Sequence, residues 1–143
     1  MRAFLKLAIL IALGGCQQPG PYDRPAGLPT TSITTNADTY RAGAAVSIRL
    51  TNRTGRAVGY NLCGAKLERM HDNDWQEILS SLGEVCTAEL RGLRPGQSAT
   101  FVFTTPPGAR GGTYRIRAAL HDPQGGAQLE AISNLFTVAR DSD

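Results

Sequence analysis

Side chains suited to catalysis are scarce in this sequence. There are two histidines, His71 and His121, a single tryptophan and 6% aromatic residues in 143. Each histidine precedes an aspartate in a segment with turn chemistry, and neither stands in a pattern of nucleophile, base and orienting group. Ser32, Ser47, Ser80, Ser81, Ser98, Ser133 and Ser142 lie in no nucleophile-elbow pattern. The stretch Gly108-Ala109-Arg110-Gly111-Gly112 lacks the Lys-Ser/Thr ending and following helix of a phosphate-binding loop. His71-Asp72-Asn73-Asp74 offers nitrogen and oxygen ligands, but no EF-hand-like loop surrounds it, so it reads as a hairpin connection. No catalytic residue, cofactor, metal or small-molecule substrate is expected. No sustained helical stripe occurs either.

Long apolar runs are also missing. The one uninterrupted stretch, Leu7 to Leu13, falls short of the roughly 20 residues that span a bilayer. It follows Arg2 and Lys6 and precedes Gly14-Gly15-Cys16. A charged start, a short apolar core and small residues before a cut are the signature of a secretory signal peptide. The ending Leu13-Gly14-Gly15-Cys16 resembles the bacterial lipobox: an aliphatic residue, two small ones, then cysteine. The resemblance covers the first sixteen residues. It implies diacylglycerol transfer to the Cys16 sulfur, cleavage before Cys16 and frequent acylation of the new amino group. Two or three chains hold a protein stably where one holds it marginally. Gln17, where Asp would favour retention at the inner membrane, implies the outer membrane, facing the periplasm.

Cleavage would leave 128 residues, a size suited to one domain. It would also remove two of the 15 basic residues, leaving 13 against 12 acidic ones in place of the formal charge of +3. Such a balance gives no field to recruit nucleic acid. Residues 16–30 hold the lipidated cysteine and then Pro19, Pro21, Pro25 and Pro29. This composition favours an extended tether, reaching roughly 40 Å at 3.1 Å per residue.

Two cysteines remain. An exported chain matures in an oxidising compartment, and with Cys16 lipidated, Cys63 and Cys86 are each other's sole partners for a disulfide. The alternatives are two buried thiols or a catalytic cysteine. The spacing fits no zinc pattern.

From residue 31 to 140 the dominant period is two. Val46, Ile48 and Leu50 alternate with polar neighbours, as do Tyr114, Ile116, Ala118 and Leu120. Strands are expected near 31–37, 44–52, 57–62, 65–71, 74–78, 98–105, 112–121 and 133–139. A short helical turn around 79–82 and a strand near 86–91 would fill the irregular segment. Short, turn-punctuated strands of this number predict an all-β, antiparallel sandwich of seven or eight strands. Its expected core is Val46, Ile48, Leu50, Val58, Tyr60, Leu67, Trp75, Ile78, Phe101, Phe103, Tyr114, Ile116, Leu120, Phe136 and Val138. Arg115, Arg117 and Arg49 are candidates for a basic patch, or for ordinary solvated arginines. Tyr114 is a candidate for a tyrosine-corner contact to nearby backbone.

Several segments together resemble bacterial immunoglobulin-like domains. They are Leu50-Thr51-Asn52 with Gly55, Leu67 to Met70 with Trp75, Leu93-Arg94-Pro95-Gly96-Gln97-Ser98, Gly112 to Ile116, and Ser133 to Val138. The resemblance implies a sandwich and an extracytoplasmic setting, with the cysteine pair stapling a loop rather than crossing the core. The expected role is a non-enzymatic structural or protein-interaction module of the cell envelope, its envelope partner unidentified. Some bacterial immunoglobulin-like sandwiches inhibit proteases, so the alternative is an inhibitor presenting a rigid loop between Cys63 and Cys86.

Overall fold

The structure, a computed structural model, describes residues 30–126 and 128–139. The signal-like segment, Cys16 and nearly all of the proline-rich stretch lie outside the described residues. The strands are β1 (Ser32–Thr35), β2 (Thr39–Arg41), β3 (Ala45–Thr51), β4 (Val58–Tyr60), β5 (Lys66–His71), β6 (Asp74–Leu79), β7 (Arg91–Leu93), β8 (Ser98–Thr104), β9 (Gly112–His121), β10 (Leu129–Ile132) and β11 (Phe136–Ala139). No helix forms among the described residues.

The strands make a sandwich, as the period of two predicts. One sheet has three strands in the order β1-β3-β8. The other is organised around β9. On one side of β9 lie β11 and β10, end to end; on the other lie β5 and β4. Outside these come β2 on β11, β6 on β5 and β7 on β4. The alternating residues of β3 and β9 aim Val46, Ile48, Leu50, Tyr114, Ile116, Ala118 and Leu120 into a shared core with Leu67, Phe103, Phe136 and Val138. Burying each aliphatic or aromatic side chain contributes about 1.5–3 kcal/mol. Phe136 sits between two tyrosines, edge-on to Tyr40 at 5.5 Å and stacked on Tyr114 at 6.0 Å.

Three strands depart from expectation: β2, β7 and β10, each of three or four residues. These are too short to display a period. The segment after β6 forms no helical turn, and its strand comes at Arg91–Leu93 rather than 86–91. Among the described residues, pairing is antiparallel except for β2 on β11 and the isolated bridge between Ile33 and Ser133, which are parallel. The β2–β11 pair closes the sheet next to the chain's return, where Thr137 N–H donates to the Asp38 carbonyl at 2.8 Å.

Four expected core residues are placed otherwise. Trp75 lies on the outer face, because β6 pairs with β5 alone and puts Trp75 opposite Met70. Ile78 is 36% exposed on the same edge strand, while Tyr60 and Phe101 pack only partly against the core. Ile33, Tyr40, Leu62, Ala65, Leu82, Leu93 and Ala131 take up core positions instead.

A polar residue completes the core's end. Asn52 is fully buried, and its amide donates to the carbonyls of Arg56 and Leu93 at 2.7 and 2.9 Å. Its side-chain oxygen accepts from the Thr54 N–H and hydroxyl at 2.9 and 2.6 Å. Asn52 thus ties β3 to the turn that follows and to β7 in the opposite sheet. Asn52→Ala would strand these groups out of water, at about 1–3 kcal/mol per buried group. We expect a loss of about 2–4 kcal/mol, read as a lower urea midpoint with unchanged slope.

Candidate functional site

The hairpin between β5 and β6 explains the His71–Asp74 sequence. Asp72 and Asn73 have φ of 48° and 64°, both left-handed. That is the geometry of a type I′ turn, which Asp and Asn tolerate and which matches strand twist. The carboxylate of Asp74 accepts the Trp75 N–H at 2.8 Å. No group of three or more His, Cys, Asp or Glu able to hold a metal occurs among the described residues.

The arginines expected to form a patch do not meet. Arg49 lies on β3, in the opposite sheet from Arg115 and Arg117. The latter two both pair with Glu68 of β5, which is almost fully buried. Register places Glu68 directly across from Arg115 on the outer face. Arg115 Nε meets one carboxylate oxygen at 2.7 Å and Arg117 Nη2 the other at 2.8 Å. Arg117 also reaches Glu130 at 3.3 Å, and the Arg115 guanidinium lies 4.1 Å above the Trp75 ring. This face is a knitted outer layer rather than free positive charge. Glu68 gives no signal in the sequence, since its partners are revealed only by the register of β5 on β9.

Tyr114 makes the corner contact: its hydroxyl donates to the Arg110 carbonyl at 2.6 Å. Beside it, Arg69, Gln76, Ile78, Pro106, Gly108, Ala109 and Arg110 line an open hollow of about 280 Å³. Burial raises the Tyr114 phenol above its ordinary value of 10.0, against an opposing pull from the Arg69 guanidinium.

Cys63 and Cys86 are disulfide-bonded, with Cα atoms 5.6 Å apart. The bond joins the turn after β4 to the irregular segment after β6, at the edge of the sandwich. Around it the loop is held by backbone and side-chain hydrogen bonds. Leu82 and Gly83 N–H both donate to the Cys63 carbonyl, at 2.9 and 3.2 Å, and the Asn61 side-chain amide donates to the Thr87 carbonyl at 2.6 Å. Leu82 is buried beneath as an anchor. Gly83 is demanded by contact: a Cβ there would overlap Cys63 Sγ and come within 3.0 Å of Cys86 Sγ. Val85, next to the bridge, is 90% exposed. Between this loop and β8 runs a cleft of about 210 Å³ whose walls include Tyr60, Leu62, Val85, Arg91, Thr100 and Phe101. The cleft and the stapled loop together form the candidate site. Its lining is mixed: the apolar Leu62, Val85 and Phe101 stand beside Tyr60, the polar Asn61, Thr87 and Thr100 and the charged Glu89 and Arg91.

No protein-family model matches the sequence, and no curated protein matches it. Among solved structures, the chain is similar to the putative ApaA protein of Bordetella pertussis. The two share 15% identity over 82% of this chain and 100% of that one, with a TM-score of 0.51. The sporulation control protein Spo0M of Bacillus subtilis shares 12% identity over 82% of this chain, with a TM-score of 0.47; the match spans 51% of that protein. A PapD-like domain of human CEP192 shares 12% over 92% of this chain and 100% of that domain, with a TM-score of 0.34. At such identities the likeness is one of fold alone.

Three variants test the local chemistry. The Cys63→Ser/Cys86→Ser double variant should lose about 3 kcal/mol in denaturant unfolding. Gly83→Ala, which keeps both cysteines, should also be destabilised, with faster amide exchange confined to residues 80–90. For Tyr114 the folded pKa is raised, so the folded state holds the proton more tightly than the unfolded chain. That stabilisation is complete below the ordinary value and is lost as pH rises through the folded one. Tyr114→Phe should cost about 0.5–1.5 kcal/mol at neutral pH through the lost hydrogen bond and should show a shallower alkaline fall, read from unfolding midpoints across pH.

Proposed function

We propose that this chain is a lipid-anchored, non-enzymatic interaction module of the bacterial cell envelope. The observation that carries the reading is the sequence Leu13-Gly14-Gly15-Cys16 behind a charged and apolar leader. Acyl chains on Cys16 would hold the protein to the outer membrane on its periplasmic side, and the proline-rich stretch would lift the sandwich off the lipid surface. The disulfide supports an oxidising setting, since such bonds persist outside the reducing cytosol. The stapled loop and its cleft supply a preformed contact surface, which lowers the entropic cost of engaging a partner.

A second reading, protease inhibition, is favoured by Val85. This apolar side chain stands 90% exposed beside the disulfide that rigidifies it. Titration of the protein against a protease panel tests this, and no change in any rate would remove it.

Cys16→Ala should abolish incorporation of labelled fatty acid and release the protein from the membrane fraction. Gln17→Asp should leave acylation intact and shift the protein toward inner-membrane fractions. A Cys16→Ala chain that is still acylated would overturn the anchor.

A further inference from the structure

Every sheet in this sandwich ends in edges, and four edge strands carry charge. The outer strand β2 has Arg41, β7 has Arg91, β6 has Asp74 and Glu77, and β10 has Glu130. Charged side chains and short length are the usual means by which an edge avoids pairing with another chain. Strand β8 has neither. Its seven residues, Ser98-Ala99-Thr100-Phe101-Val102-Phe103-Thr104, contain no charge, proline or glycine. They pair with β3 on one side, in unbroken register, and with no strand on the other among the described residues.

The ladder shows which groups are left over. Thr105 N–H donates to Ala44 and Asn52 N–H to Gln97, so the odd-numbered residues of β8 bond to β3. Antiparallel strands alternate, so the N–H and C=O groups of Ser98, Thr100, Val102 and Thr104 point out from the free edge. The side chains alternate too. Val102 is 58% exposed on the outer face, and Phe101 leans inward but is only half-buried, lining the open cleft.

We propose that β8 is a self-association edge, where two copies of this chain pair β8 to β8, antiparallel, about a twofold axis at Phe101. In this register Thr100 faces Val102 of the second copy, Ser98 faces Thr104, and the two Phe101 side chains meet at the axis. The outward N–H and C=O groups of one copy are matched by those of the other. A strand pairing with itself brings identical charges together, which destabilises charged edges; β8 has none to oppose. The second copy also supplies the apolar cover that Phe101 lacks. Such an isologous contact closes on itself and merges two three-stranded sheets into one.

The pairing goes beyond the anchoring reading and stands apart from it, so Cys16→Ala copies should associate as wild-type copies do. The test uses two differently tagged full-length chains, co-expressed and extracted in detergent. Wild-type copies should co-purify. Thr100→Cys on one tag and Val102→Cys on the other should yield an oxidised dimer carrying both tags, because the paired Cα atoms would lie about 5.5 Å apart, within disulfide reach. Val102→Pro removes an outward N–H that makes no bond to β3. It should reduce co-purification about tenfold or more with little change in thermal midpoint. Undiminished co-purification of Val102→Pro overturns the proposal. So do wild-type copies that stay monomeric while β8 amides gain exchange protection only in the presence of a different envelope protein.

Discussion

Strand β9 has pairing partners on both of its sides. Residues 112–114 meet β11 and 117–120 meet β10, while 114–117 meet β5 and 120–121 meet β4. Its inward residues, Tyr114, Ile116, Ala118 and Leu120, are all buried, and its outward ones include the two arginines that enclose Glu68. One strand therefore sets both layers of the larger sheet. A register slip of one residue would turn the arginines into the core and the aliphatics toward water. The buried carboxylate guards against that slip, because a displaced register would leave its charge unpaired.

The smaller sheet has its own doubly paired strand, β3, between β1 and β8. It reaches the larger one through the apolar core, through Asn52 and through the bridge from Ile33 to Ser133. These attachments gather at the sheet's ends and at β1. The β8 side is left open, with the stapled loop across the gap. Rigidity at β9 and openness at β8 are two sides of the same topology: the strands that could have covered β8 are spent on the spine.

Much of this was legible in the sequence, and the rest was not, for reasons tied to particular residues. Strands β3 and β9 are long enough for alternation to declare which face is buried. The cysteine pair follows from there being two left once Cys16 is set aside. Trp75 looked like core because it is large and apolar. The chain does not reveal that its strand is an edge, or that Arg115 of β9 covers the ring on the outer face. Asn52 and Glu68 are polar residues whose burial depends on strands far away in sequence, Leu93 for one and Arg115 for the other. The stapled loop could be anticipated, but the cleft beside it could not, since β8 becomes its wall only after the two sheets stack.

The disulfide encloses the entire β5–β6 hairpin. Its covalent ring is complete, in chain order, before the first residue of β9. A chain that folds from its amino end can therefore lock this hairpin before its spine is available. The ring then behaves as a prefabricated part: two strands with their turn set and one outer edge charged, offering a single bonding edge for the late strand to find.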